Sequence, residues 1–515
     1  MKNAEHTHLE ETVKTGGSDL AVLCNELKKL DLDVITFFKY LRFLYLRKNI
    51  RGKINTHLEE ILGSEEFAPE IKPGSEKEGK LRRFISKNKL DWGNIDFHLN
   101  YRLTSAEELL DILKINGGLK KVIKRGYAMS IMPLNIVTEN PELLNKFIPK
   151  GDFFTEHYAK HRDPYAIFSE KAKIVKKGHY LASQKFKRSI LMNITSACPI
   201  GCVSCYKGEF TRVRGRKFYT NLSKAVNVQS KLLVEHLNKH PEIKLVVVSG
   251  GEPLLLSNEG IKKMLNYFER ARHLAEFRIC TGTIFQGLPF RIDDELLDAL
   301  WEFENRLGIK VTFSAHLSHP AQFTPEALIA ISKITRRGFP INTQVPLQGG
   351  VNIFINDFKK TMNTLYKLAE LQGINGCRPY KYILDMNVGS LEYSVPLEFM
   401  LKVLAELKYR IDHPWPETWQ PVSYTILCKE GNVLLSPHML LCMNKKISKY
   451  KNAVEYYLPV PAGEGRWKII KYAEPLLEGY NDDPNSLKSL DEKYITALKS
   501  KIERGEDKNA GEFGY

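Results

Sequence analysis

The stretch Ser189-Ile190-Leu191-Met192-Asn193-Ile194-Thr195, followed closely by Cys198-Pro199-Ile200-Gly201-Cys202-Val203-Ser204-Cys205, decides how this chain is read. The first part is a mostly apolar run of strand length. The second packs three thiols into eight residues with the spacing CxxxCxxC. Three closely spaced thiolates on one loop can hold three irons of a [4Fe–4S] cubane and leave the fourth open to a small molecule. A structural zinc knuckle needs a fourth protein ligand. None follows within the loop, so His179 or Cys280 would have to supply it from elsewhere. Eight cysteines in 515 residues behind a polar start, MKNAEHTHLEETVKTGG, fit a reducing cytoplasm better than a disulfide scaffold.

Downstream, Ser249-Gly250-Gly251-Glu252-Pro253 closes another apolar run. Glycines without a Cβ let a backbone approach a ligand closely, and the adjoining carboxylate suits an ammonium. Between Ser189 and about residue 410, short apolar runs alternate with helix-period segments, the pattern of βα units around a parallel sheet. Six strands are expected: Ser189 to Thr195, Ile243 to Ser249, Phe277 to Gly282, Lys310 to His316, Pro340 to Leu347 and Arg378 to Asp385. Each precedes a helix, at Lys231 to Leu237, Glu259 to Leu274, Asp294 to Leu307, Thr324 to Arg337, Asp357 to Gln372 and Leu397 to Tyr409. Six such units predict a partial (β/α)6 barrel, and in parallel α/β folds chemistry gathers at the carboxyl ends of strands. The thiol loop, the Gly-Gly-Glu turn, Thr281-Gly282-Thr283, His316 with His319, Gln344 and Asp385 all fall at such ends.

Composition allows one large core, with 43% hydrophobic and 26% charged residues. ITFFKYLRFLYLRK is interrupted by Lys39, Arg42 and Arg47 and reads as an amphipathic helix whose aromatic stripe belongs to a core, not as a membrane span. The net charge of +16 is scattered and accompanies no nucleic-acid signature, so neither nucleic acid nor membrane is an expected partner. A basic segment through Lys171, Lys173, Lys176, Lys177, Lys185, Lys187 and Arg188 is explained mostly by solvated helix and loop faces, although an acidic redox donor or an anionic substrate group could use it. The expected organisation is a mostly helical region over 1–90, with a charged linker from Lys72 to Lys80. An upstream segment over 91–188, the barrel over 189–410 and a C-terminal extension over 411–515 follow.

The thiol spacing with the Gly-Gly-Glu turn resembles the radical S-adenosylmethionine (SAM) superfamily. Over roughly residues 90 to 395 the chain is similar to the lysine 2,3-aminomutase family. Leu90-Asp91-Trp92, Asn100 to Leu109, Met129-Ser130-Ile131-Met132-Pro133, Asp163-Pro164, Gly250 to Leu256, His316-Leu317-Ser318-His319-Pro320, Thr343 to Asn352 and Arg378-Pro379-Tyr380 match it in order. The resemblance implies Cys198, Cys202 and Cys205 as cluster ligands and Ser249, Gly250, Gly251 and Glu252 as contacts to SAM's methionine. Thr281, Thr283, His316 and Gln344 would line the cofactor cavity, Arg378 and Tyr382 would flank the substrate, and Asp385 would face a cationic substrate end. Around Tyr380-Lys381-Tyr382 the match needs a one-residue gap.

The implied activity is reductive cleavage of SAM to a 5'-deoxyadenosyl radical that takes hydrogen from an amino acid or related substrate. A flavodoxin or ferredoxin would supply the electron. Two departures stand out. Ser204 replaces the aromatic residue or histidine usual before the third cysteine, leaving Tyr206 as a stacking partner for adenine. The glycine-rich run whose lysine holds pyridoxal 5'-phosphate (PLP) is absent from residues 421–437, where Lys429 is the single, offset candidate. PLP therefore stays open, with a PLP-independent radical enzyme and a non-enzymatic iron–sulfur or zinc protein as alternatives. Cys428 and Cys442, with Cys377 or Cys280, would be the material for a second cluster or metal, although their spacings match no familiar motif.

Overall fold

The computed structural model describes residues 19–50, 71, 74–104, 112, 130–148, 182–195, 197–202, 205, 222–384, 393–409, 423–428, 431–435, 443–448, 453–463, 466–476 and 482–483. Asp385, Lys429, Cys442, Ser204, Tyr206, His179, Asp163-Pro164, Met129 and the basic residues Lys171 to Lys177 lie outside them.

Before the sheet come helices α1 (Leu20–Lys28), α2 (Val34–Ile50), α3 (Glu76–Lys87), α4 (Ile95–Asn100), α5 (Pro133–Ile136) and α6 (Pro141–Asn145). The sheet has nine strands in sequential order: β1 (Ala182–Phe186), β2 (Ser189–Asn193), β3 (Leu245–Ser249), β4 (Glu276–Thr281), β5 (Lys310–His316), β6 (Ile341–Leu347), β7 (Cys377–Leu384), β8 (Ser423–Cys428) and β9 (Gly431–Leu434). Strands β2 to β8 run parallel, and β1 and β9 flank them antiparallel. Parallel neighbours require crossovers. These are α7 (Leu222–Lys239), α8 (Asn258–Phe268), α9 (Asp294–Leu307), α10 (Pro325–Arg336), α11 (Phe358–Ile374) and α12 (Leu397–Tyr409). Their starts are written in the sequence. Ser257, Asp293, Thr324 and Asp357 each accept a backbone N–H of the first turn, and Gly308 ends α9 in the left-handed region.

All six expected strands and all six expected helices form, but the sheet runs past 189–410 at both ends. Strand β1 adds a hairpin before β2, and β8 and β9 come from the stretch assigned to the C-terminal extension. Among the described residues the sheet is open, with β1 and β9 at opposite ends of the order and no closed barrel.

Burial alternates along the strands. In β6, Ile341, Thr343, Val345 and Leu347 are buried, whereas Asn342, Gln344 and Pro346 are partly exposed. Ile341, Val345 and Leu347 share one core with Leu365 and Leu368 of α11. A parallel sheet covered on both faces reads apolar throughout. Here one face carries the helices and the other is apolar along β2 and β3 but polar from β5 to β7, which marks where a site can lie.

Helix α2 buries Phe37, Phe38, Tyr40 and Leu41, so its aromatic stripe is core, with Phe38 against Trp92 and Phe97. Its Arg42 reaches α10, donating to Glu326 from Nε at 2.7 Å and Nη2 at 3.0 Å, while Trp92 Nε1 donates to the same carboxylate at 3.2 Å. Replacing Arg42 by methionine would leave Glu326 buried without its cation, a loss expected to cost about 3–5 kcal/mol. A fall in the urea midpoint, partly restored by Glu326→Leu in the same chain, checks this, and an unchanged midpoint contradicts it.

The expected linker over 72–80 is corrected in part. Ser75 Oγ accepts from Glu78 N, Leu81 is fully buried and α3 begins at Glu76. Its charge density concealed an N-cap signal.

A separate three-stranded meander, β10 (Asn444–Ser448), β11 (Ala453–Gly463) and β12 (Arg466–Pro475), docks on α12. Tyr456 Oη lies 2.9 Å from Glu398 and 3.0 Å from Glu474, its one proton shared between them, and Lys445 Nζ donates to Glu398 at 2.6 Å. No helix among the described residues is long and apolar enough to cross a membrane.

Candidate active site

The loops after β2 and β3 are stitched together by backbone bonds. Ile194 N donates to Ser249 O (3.0 Å), Gly251 N to Thr195 O (2.6 Å) and Glu252 N to Ala197 O (2.9 Å). Gly250 sits at φ +128°, and a Cβ there would stand 2.4 Å from Thr195 O, so this approach requires glycine. Gly201 is equally confined, its imagined Cβ lying 2.4 Å from Ser130 N. Its N–H donates to Ser130 O (3.1 Å), and Ser130 Oγ donates to Pro199 O. Residues 130–131 thus lie against the thiol loop, held from behind by the Ile131–Leu103 bridge.

Cys198, Cys202 and Cys205 are half-buried, and Cys205 N donates to Cys202 O at 3.3 Å. Burial, with Glu252 and the other two cysteines nearby, pushes the Cys198 thiol well above its ordinary range. A hard-to-ionise thiol beside two more is a soft donor set that a metal cluster would ionise, and it fits three irons of a cubane. Among the described residues no three His, Cys, Asp or Glu side chains converge on a single ion.

Glu252 is buried and accepts from Leu254 N (3.0 Å), Thr281 Oγ1 (2.8 Å) and Gly282 N (2.8 Å). Thr283 Oγ1 lies 2.8 Å from Thr281 Oγ1. Both threonines are buried, Thr281 against Glu252 and Thr283 against Thr281. Burial is the largest influence on Glu252 and pushes its carboxyl up to about 7, against these donors and the Arg291 guanidinium. An imagined Cβ on Gly282 would lie 2.9 Å from Ile200 Cδ1, which brings the end of β4 to the same loop.

On the polar face, His316 is exposed at the end of β5 and pairs in register with Gln344, which pairs with Lys381. Gln344 Nε2 donates to Ser314 Oγ (2.9 Å), and Gln286 Nε2 donates to His316 O (2.9 Å). His319 instead caps the next turn, accepting from Ala321 N, and burial lowers it to about 4. Arg378 is exposed opposite Asn342.

Tyr382 is the correction on this face. It is fully buried on the helix side, donating to Gln372 Oε1 (2.9 Å) with its ring edge-on to Tyr424. The register of β6 and β7 shifts between Thr343 and Gln344, so Tyr380 is an extra residue in β7. Such a bulge reverses side-chain parity and brings Lys381 to the polar face. Lys381 Nζ lies 5.2 Å from the Tyr380 ring, with Arg278 5.6 Å from that ring. The signal was present as the one-residue gap the aminomutase pattern needs at this place.

Cys280 lies on the polar face, half-buried, whereas Cys377 is buried and pushed up to about 12. Cys428 ends β8 opposite Gly431.

Residues 188–318 match the 4Fe–4S single cluster domain family. A relative from Aquifex aeolicus is 24% identical over 340 residues, 64% of this chain and 85% of its own length. The L-lysine 2,3-aminomutase of Acetoanaerobium sticklandii is 23% identical over 339 residues, 64% of this chain and 75% of its own. The glutamate 2,3-aminomutase of Clostridioides difficile is 22% identical over 338 residues, 62% and 74% respectively. The thiol loop lies inside the stretch that matches the iron–sulfur domain, and with relatives of this kind the chain is similar to radical SAM proteins. Its relatives are lysine 2,3-aminomutase-like proteins, to which it is 22–28% identical, so the likeness is to a divergent relative of that family.

Proposed function

We propose that the protein is a radical SAM enzyme that takes hydrogen from an amino acid or amino-acid-like substrate, with the sheet as an incomplete barrel around the reaction. Cys198, Cys202 and Cys205 would hold a [4Fe–4S] cluster, and Ser249 to Glu252 would receive the methionine end of SAM. The supporting observation is the backbone stitching of the two loops, which sets the thiols and the Glu252 carboxylate in one neighbourhood. When bound and reduced by a low-potential flavodoxin- or ferredoxin-type donor, such a cluster supplies the electron that splits SAM into methionine and a 5'-deoxyadenosyl radical.

This chain's residues do the holding and the excluding. Glu252 would take the ammonium of SAM, its position set by Thr281 and Gly282 N–H, while His316 and Gln344 would border the remainder of the ligand. Arg378 and Lys381 offer cations to a substrate carboxylate, and Asp385 an anion to a substrate amine. Anaerobic reconstitution followed by quantitation of 5'-deoxyadenosine from SAM and dithionite tests the reading. Release dependent on the protein supports it, and none from an iron-replete protein sinks it. The missing lysine run favours a PLP-independent reaction as the second reading. Near-stoichiometric PLP that disappears in Lys429→Ala would instead support amino-group migration.

Glu252 also gives a pH signature. Its folded carboxyl, at about 7, stands above the ordinary 4.5, so the folded protein keeps a proton that the unfolded chain has released between those values. Its burial therefore costs nothing below 4.5 and destabilises increasingly as pH rises to 7. An ammonium needs the ionised form. Affinity for SAM is expected to rise by up to about tenfold per unit as pH approaches about 7, then level off. Equilibrium dialysis across that range checks it. Glu252→Gln should bind weakly with no slope, and a sloping Gln variant would assign the titration elsewhere.

A further inference from the structure

Lys146 is only 2% exposed, although a lysine side chain is long enough to carry its ammonium to water. Its one hydrogen bond is to a neutral hydroxyl, Ser318 Oγ, at 2.5 Å. No carboxylate answers it among the described residues. Burial pulls its pKa below the ordinary lysine range, and the thiols of Cys202 and Cys205 act in the opposite sense.

Its place is built, not incidental. The single Tyr393 hydroxyl proton is shared between Asn145 O and, at 2.6 Å, Ile148 O, while Asn145 Nδ2 donates to Gly350 O at 3.1 Å. These bonds clamp the chain on both sides of Lys146. Phe147 and Ile148 share a hydrophobic cluster with Ile200 of the thiol loop, against which Cys198 and Cys202 pack. Ser318 is held by its own backbone, its N–H donating to Gln322 Oε1 (2.7 Å) and its carbonyl accepting from Asn352 Nδ2 (2.8 Å). A buried ammonium with a single neutral partner is costly unless an anion stands close by.

We infer that Lys146, buried in the packing that its neighbours Phe147 and Ile148 share with the thiol loop, is a countercharge for the iron–sulfur cluster that raises the cluster's reduction potential. The inference rests on the reading that these cysteines carry a cluster. One-electron reduction by an external low-potential donor adds one negative charge to an already anionic thiolate-bound cluster, and a fixed cation at low dielectric stabilises the reduced state more than the oxidised one. Lys146 thus acts as a tuning residue and touches neither substrate nor SAM in this account.

The experiment is an EPR-monitored dithionite titration of the anaerobically reconstituted full chain, comparing wild type, Lys146→Gln and Lys146→Arg, with iron and sulfide determined first. Lys146→Gln is expected to lower the reduction equilibrium constant at least tenfold, a shift of about 59 mV to more negative potential for one electron. Lys146→Arg, which keeps the charge, is expected to stay near wild type. A Gln variant that holds wild-type iron at an unchanged potential overturns the inference, as does an Arg variant displaced as far as Gln, because packing would then be the cause. A Gln variant that loses its iron while Arg retains it supports the countercharge at the stage of holding the cluster. Wild type without a cluster fails at the iron determination and overturns the underlying functional reading itself.

Discussion

Replacing Cys202 by alanine is expected to strip the protein of its iron–sulfur absorbance and to reduce 5'-deoxyadenosine release by about three orders of magnitude, ~4 kcal/mol at 1.36 kcal/mol per tenfold. Cys202 is the middle thiol of the loop. Its carbonyl accepts from Cys205 N, and its side chain packs on the cluster of apolar residues that contains Ile200. The backbone framework around it is independent of the thiol, because Gly201 N–Ser130 O and Gly251 N–Thr195 O are main-chain bonds. The alanine variant should therefore fold, with a far-ultraviolet dichroism spectrum like wild type, yet hold little iron. A variant that kept full iron and activity would show that the loop is not the cluster site.

Gly250→Ala is expected to separate the two halves of the site. The residue must adopt φ +128° and would place a methyl 2.4 Å from the carbonyl oxygen of Thr195. Backbone strain of this kind costs about 1–3 kcal/mol before the clash is counted. Relief requires the turn to lift away from the thiol loop, breaking the 2.6 Å bond from Gly251 N and shifting the backbone that leads into Glu252. The thiols are left in place. Iron content is expected to stay near wild type while SAM affinity falls about 10- to 100-fold, or about 1.4–2.8 kcal/mol, read by equilibrium dialysis. Gly308→Ala is the control. Gly308 also has positive φ, +69°, but nothing lies within 4 Å of its imagined Cβ, so the substitution should lower stability and leave SAM binding alone. Equal losses of SAM affinity in both variants would reduce the Gly250 effect to general destabilisation.

Much of this arrangement is legible in the chain itself because its signals are local. The strand Lys310–His316 and the helices Asp294–Leu307 and Leu397–Tyr409 form with the bounds expected from periodicity, since caps such as Asp293 and breakers such as Gly308 are short-range devices. The thiol spacing and the Gly-Gly-Glu turn are likewise contiguous motifs.

What escapes is non-local or changes parity. Lys146 stands far in sequence from Ser318 and Cys202, and its neighbours are set by tertiary packing alone. Lys381 trades places with Tyr382 through one extra residue at Tyr380, a bulge that an alternating pattern does not show. Thr281 and Thr283 sit where a strand-end residue would line a cavity, but their hydroxyls turn to Glu252 and to each other. Strands β8 and β9 join the sheet beyond a stretch with no periodic pattern, so their membership rests on β8 pairing with β7 and β9 with β8, contacts composition does not carry.

The central claim is that one loop holds a cluster whose open iron meets SAM on the turn beside it. The most direct measurement is the EPR spectrum of the anaerobically reconstituted, dithionite-reduced protein before and after addition of SAM. The account expects a reduced [4Fe–4S] signal whose g values move when SAM is added and stay fixed in Gly250→Ala at the same concentration. A reduced cluster signal indifferent to SAM in the wild type, or no cluster signal in a protein that has taken up iron, would contradict it.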